Sequence, residues 1–134
     1  MPIPNQTECV EISVPGGPEV LKSTHRVLEH LQENQVLIKV AYAGVNRPDI
    51  FQRKGLYPPP EGASDIPGLE VSGTIVAAGD KVTTIKTGDK VCALLNGGGY
   101  AKFAIADERL CIPVPAELSM EQAAGLPEAC FTVW

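Results

Sequence analysis

Thirteen glycines and twelve prolines punctuate these 134 residues, and that punctuation is the strongest limit on the fold. Proline removes a backbone donor and fixes φ, which keeps it out of helix interiors and central strands. Glycine supplies the backbone freedom that tight turns need. Short elements joined by many turns follow, rather than long helices. With aromatic residues at only 5%, the first expectation is a mainly β fold with short helices.

A chain of this length builds one compact domain with a real core and falls short of a two-domain cofactor enzyme. Hydrophobic residues at 44% and charged residues at 20% sit near the globular average, which excludes a disordered chain. No run approaches the ~20 apolar residues that a membrane span requires. Eleven Lys and Arg against 16 Asp and Glu give a net charge of -5, which works against binding to phosphate backbones or anionic lipid. Neither nucleic acid nor a membrane is therefore expected as a partner. Cys9, Cys92, Cys111 and Cys130 lie too far apart for a CxxC pair, and the start MPIPNQTECV lacks the charged and apolar stretches of a signal peptide. The expectation is reduced thiols, each packed as a small buried hydrophobe, in a cytoplasmic protein.

Along the chain, TECVEISV (7–14) alternates as a first strand and runs into the turn PGGPEV (15–20), so a hairpin is expected. Residues 19–31 tolerate helix or strand, with β-branched and alternating positions favouring extended structure. VLIKVAYAGV (36–45) alternates and then becomes wholly apolar, the pattern of a strand passing into a core. In NRPDIFQRKG, Asn46 can cap, Pro48 suits an early helical position, Asp49 complements the N-terminal dipole and Gly55 ends the turn. A short helix is predicted over 47–54. Residues 55–68 hold four prolines and three glycines, too broken for a regular element, and long ordered loops are often functional. GDKV occurs at 79–82 and again at 88–91, an offset that resembles strand-turn-strand spacing. A turn at Asn96 and Gly97 to Gly99 precedes a strand in YAKFAIA, and CIPVP (111–115) reads as a short edge segment limited by its prolines. Ser119 and Gln122 fit a capping box, and a further helix can start near Pro127. That helix meets Phe131, Val133 and Trp134 with no terminating signal, so it reads as cut in mid-element.

Unaided, the residues offer little chemistry. Zinc needs about four His, Cys or carboxylate ligands, and the two histidines, His25 and His30, are five apart and point away from a common line. No metal site is expected. No GxSxG surrounds a serine, and GGGY (97–100) fits no phosphate-cradling motif. Glu61, Asp65 and Glu70 lie in or beside the irregular loop without a spacing that marks acid and base.

Taken together, AGVNRPDIFQRKGLYPPP (43–60), IPGLEVSGTIVAAG (66–79), TGDKVCALLNGGGYAKFAIAD (87–107) and PVPAELSMEQAAGLPEACFTVW (113–134) resemble one family in order and over nearly the whole chain. The resemblance is to the zinc-free quinone oxidoreductases of the medium-chain dehydrogenase/reductase superfamily, most of all to the branch of the p53-inducible quinone reductase. It implies a GroES-like β-barrel catalytic domain over 1–134, with 127–134 opening the helix that leads to a Rossmann domain not contained here. Compared with the zinc alcohol dehydrogenases, Asn46 stands where a ligand cysteine is found, and Leu69 replaces the histidine of a Gly-His-Glu run, here Gly68, Leu69 and Glu70. The cysteine-rich structural zinc lobe is also missing between Asp89 and Tyr100.

Without a Lewis acid, hydride transfer depends on an electron-poor acceptor and on donors aimed at the developing charge. Quinones and enones meet that need. The resemblance implies NADPH as cofactor and places Asn46 and Tyr57 beside nicotinamide and acceptor as catalytic donors. Asn46 reads also as a helix cap and Tyr57 as a loop anchor. Arg47, Phe51 and Thr132 are carried over as cofactor-side residues, with a core role open for Phe51 and a bond to its own backbone open for Thr132. Glu70 reads as a structural carboxylate near the cleft. The complete protein is expected to be a homo-oligomer and this chain alone inactive. An enoyl or alkenal reductase of the same superfamily, or a stand-alone non-catalytic binding module, are the alternatives.

Overall fold

A computed structural model describes residues 3–133; Trp134, named above, lies outside them. The chain forms β1 (Gln6–Ile12), a 3-10 turn (Pro18–Val20), β2 (Leu21–Val27), β3 (Gln35–Ala43), α1 (Arg47–Arg53), β4 (Glu70–Ala78) and β5 (Lys90–Leu94). β6 (Phe103–Asp107), a second 3-10 turn (Glu108–Leu110), β7 (Cys111–Pro113), α2 (Met120–Ala123) and α3 (Pro127–Val133) follow. β1 and β2 pair as the expected antiparallel hairpin, and residues 55–68 contain no regular element, also as expected.

The other five strands make one antiparallel sheet in the order β6-β3-β4-β5-β7. The central strands supply the core: Val36, Ile38, Val71, Ile75 and Val91 are fully buried, and Ala104 and Ala106 of β6 complete it. Each large aliphatic side chain so buried contributes about 1.5–3 kcal/mol. Residues 100–103 stitch the hairpin to this sheet. Val10 N–H donates to Tyr100 O at 2.8 Å, Lys102 N–H to Glu8 O at 2.9 Å, and Val40 N–H to Lys102 O at 2.8 Å. Ser72, wholly buried on β4, donates its hydroxyl to Met120 O and so fixes α2.

Four expectations are corrected. The ladders do not close into a barrel, since β6 and β7 are the edges of the five-stranded sheet; the mainly β description stands. β3 is buried at its start, Val36 to Ile38, and exposed toward Tyr42, the reverse of a strand entering the core. β6 pairs with β3 only from Gln35 to Lys39, so beyond the Val40 bond to Lys102 O the apolar end has no strand partner on that side. No strand lies between the two GDKV runs. There the N–H groups of Thr83 and Thr84 donate to the Glu108 carboxylate, each at 3.1 Å, instead of to a strand. Finally, Cys9 and Cys92 are buried, but Cys130 is exposed.

Candidate functional site

The site is built where three elements begin. α1 starts at Arg47, and the N–H of its preceding residue Asn46 donates to the Asp49 carboxylate at 3.0 Å, one half of a capping box. Pro48 occupies an early helical position, where no donor is missed. Asn46 thus occupies the N-cap position expected from sequence, and its side chain also reaches beyond the helix. Its Nδ2 donates to Glu70 Oε1 at 3.1 Å.

Glu70 opens β4 and is only 3% exposed. Its second oxygen accepts the N–H of Glu128, in the first turn of α3, at 2.8 Å, where a carboxylate is also favoured by the helix dipole. Its own carbonyl accepts Gly44 N–H at 3.1 Å. A Cβ on Gly44 would stand 2.1 Å from Glu70 Oε1, so a side chain there would evict the carboxylate. Glu70 thus ties the Asn46 amide to α3, in agreement with its reading as a hydrogen-bonded structural carboxylate.

Tyr57 is 43% exposed and lines a cleft of about 130 Å³ together with Gln52, Pro59, Leu94, Asn96 and Glu128. Glu128 is the common member: its N–H holds Glu70, which holds Asn46, and it borders the Tyr57 cleft. The loop bearing Tyr57 is pinned from both sides. Gln52 Nε2 donates to Asp65 O at 2.9 Å, and the Arg26 guanidinium bonds the Asp65 carboxylate and, at 2.9 Å, that of Glu11. Those two carboxylates push the Arg26 pKa further above its ordinary value.

The remaining predicted residues are placed less tightly. Arg47 is exposed and the Phe51 ring is 39% exposed, which sets aside a core role for Phe51. Thr132 Oγ1 donates to Glu128 O at 2.7 Å, the backbone bond that its alternative reading anticipated; only its lone pairs remain for another partner. None of the three lines the Tyr57 cleft. His25 and His30 are both exposed, and among the described residues no group of three His, Cys, Asp or Glu is placed to hold a metal.

A larger cavity of about 520 Å³ shares Leu94, Leu95 and Asn96 with this cleft. Within its lining Arg26 is paired with Glu11 and Asp65, and Asp107 with Arg109, and it contains none of the predicted site residues. Of the predicted site residues, Tyr57 lines the smaller cleft.

Sequence reasoning missed Glu128, Asp49 and Tyr100 as members of the site. Asp49, 4% exposed, accepts the Tyr100 hydroxyl at 2.6 Å. Burial first, and then this bond to a carboxylate, pushes the Tyr100 phenol well above its ordinary pKa. For Glu128 the signal was its place directly after Pro127, in the first turn of the last helix.

Residues 32–116 match the alcohol dehydrogenase GroES-like domain. Over 119 residues the chain is 42% identical to a quinone oxidoreductase of Mus musculus, covering 87% of this chain. This chain belongs to the quinone oxidoreductase family of the medium-chain dehydrogenase/reductase superfamily. Two solved family structures superpose on it. The quinone oxidoreductase from Coxiella burnetii matches with a TM-score of 0.84 and 28% identity over 92% of this chain. That of Escherichia coli, complexed with NADPH, matches with a TM-score of 0.73 and 30% identity over 87%. The chain spans 36% of the mouse relative's length, and 42% and 36% of the two solved chains.

Proposed function

We propose that this chain supplies the acceptor-side catalytic domain of an oxidoreductase that reduces quinones, or related electron-poor acceptors, with NADPH and without zinc. The dinucleotide-binding Rossmann part lies outside these 134 residues in this reading, and the two antiparallel sheets belong to the GroES-like domain. The observation that carries it is the Asn46 amide, held by buried Glu70 and linked through Glu128 to the cleft of Tyr57.

When bound, the dinucleotide supplies the hydride. The donor set fits such a group: the exposed Arg47 cation, the half-exposed Phe51 ring and the free lone pairs of the Thr132 hydroxyl suit a phosphate, a flat ring and a carboxamide respectively. An Asn amide has two N–H groups, of which Glu70 takes one, and the other remains to donate toward negative charge on an acceptor oxygen. Tyr57 offers a phenolic donor at the cleft. Neither group must ionise to act, and preorganised neutral donors of this kind stabilise an oxyanion as it forms. The zinc-free reading rests on residue chemistry. Leu69 carries no ligating atom, and the Asn46 amide is committed to a carboxylate. Among the described residues no helix is long and apolar enough to cross a membrane; a cytoplasmic homo-oligomer acting on a small molecule remains part of the proposal.

The test uses the full-length protein with NADPH and a 1,4-quinone. Asn46→Ala and Tyr57→Phe are each expected to lower kcat/KM by the equivalent of ~1–3 kcal/mol of transition-state stabilisation, the worth of one donor. Unchanged kinetics in both variants would remove their assignment. Running an enoyl thioester beside the quinone decides the acceptor class.

A further inference from the structure

We infer that Tyr100 and Asp49 act as a positioning pair that fixes the backbone at Asn46, an inference resting on the reading of Asn46 as a donor to the acceptor. One carboxylate oxygen of Asp49, Oδ2, receives both the Tyr100 hydroxyl at 2.6 Å and the Asn46 N–H at 3.0 Å. Its other oxygen, Oδ1, is buried and has no partner. Capping a helix does not require this burial, because an exposed carboxylate accepts the same N–H with water on its other lone pairs. Burying a carboxylate with one oxygen bare is costly, and here a tyrosine 51 positions along the chain supplies the second donor.

Tyr100 is itself a fixed point. Its N–H donates to Pro67 O at 2.9 Å, its carbonyl accepts Val10 N–H at 2.8 Å, and its backbone N lies 2.6 Å from where a Cβ on Gly68 would be. The phenol therefore leaves from the tightest crossing of loop and hairpin, and Asp49 passes that position to the first turn of α1. Asn46 is then held at two ends, its side chain by Glu70 and its main chain by Asp49. Removing the Tyr100 hydroxyl leaves a buried carboxylate with a single N–H, and the turn that carries Asn46 shifts toward water to relieve it.

The experiment is a double-mutant cycle on the full-length protein at a temperature where all variants are folded by circular dichroism. Tyr100→Phe, Asn46→Ala and their combination are assayed with NADPH and a 1,4-quinone. Tyr100→Phe is expected to lower kcat about tenfold, the equivalent of one hydrogen bond of about 1.4 kcal/mol, with KM for the quinone within about twofold. In the Asn46→Ala background the same change is expected to do almost nothing, because its effect passes through the missing amide. An equal fall in both backgrounds overturns the inference, because Tyr100 then acts on turnover by a route that does not pass through Asn46. If Asn46→Ala by itself leaves turnover intact, the functional reading of Asn46 has failed and the inference falls with it, a result distinct from the first. Where Tyr100→Phe does not fold, Asp49→Asn, which keeps the shape but replaces the anion, takes its place in the cycle: a loss confined to the Asn46 background supports the pair, and an equal loss in both backgrounds overturns it.

Discussion

Four cysteines occupy different surroundings, and their reactivity should separate accordingly. Cys9 and Cys92 are 3% and 1% exposed, and burial raises the pKa of both thiols. Cys111 is partly buried and pushed up to about 12, by burial first and then by the nearby Asp107 charge. Cys130 lies on the open side of α3. Because the thiolate is the nucleophile and access is required, a disulfide reagent at about pH 8 should titrate one thiol of this chain quickly and the others only on unfolding. Cys130→Ser should abolish the fast phase. A fast phase that survives in that variant would show that another cysteine opens to solvent. The sequence marked all four residues alike, since a cysteine packs as a small hydrophobe wherever the fold covers it, and what covers the last helix is not written in its own residues.

At the scale of elements, the crossing of the 55–68 loop over the triple-glycine turn is where backbone meets backbone. Gly68 has φ 110, and a Cβ there would lie 2.6 Å from both Gly99 Cα and Tyr100 N, neither of which is a side chain that can swing away. Gly88, with φ 97, has nothing within 4 Å. Gly88→Ala should therefore cost about 1–2 kcal/mol for the left-handed backbone alone, while Gly68→Ala should cost about 2–4 kcal/mol or more by adding a clash. Urea denaturation of the two variants compares them directly, and equal losses would mean that the crossing is looser than these distances imply. Elements closed by local chemistry were legible beforehand: the Pro15 to Pro18 turn, the helix after Asn46, and the Ser119 and Gln122 box, whose two bonds are both 3.0 Å. The direction of burial along β3 was not, because it depends on how far β6 extends beside it. Nor was the segment between the GDKV runs, whose N–H groups are claimed by Glu108 from beyond β6. The site divides the same way. Family resemblance named Asn46 and Tyr57, but the contacts that hold Asn46 come from residues 70 and, through Asp49, 100, and no local pattern announces a partner so distant.

Across the whole molecule, the shifted carboxyl, thiol and phenol groups fall into two sets that bound the pH range of stability. Asp107 is held low by Arg109, Glu108 by the Thr84 backbone and hydroxyl, and Asp89 by Lys86. A carboxyl whose folded pKa is depressed contributes stability above its unfolded pKa and loses it as pH falls through the folded one, so this set weakens the fold only in acid. Cys9, Cys92, Cys111 and Tyr100 are all shifted upward, chiefly by burial. For these acids the unfolded chain releases protons before the folded one does, so the unfolded state binds fewer protons and stability falls as pH rises. For Cys111 the interval runs from its ordinary value near 9.0 to about 12. Urea midpoints should thus be level between about pH 5 and 8 and decline from about pH 9, each fully shifted group adding at most about 1.4 kcal/mol per pH unit. Cys111→Ala removes one of these groups while leaving the strand pairing of β7 with β5 intact. Its midpoint should start lower at neutral pH, from lost packing, and fall less steeply above pH 9. If the variant declines as steeply as the parent, the alkaline loss arises from general repulsion in a chain already carrying a net charge of -5, and not from protons that its interior retains.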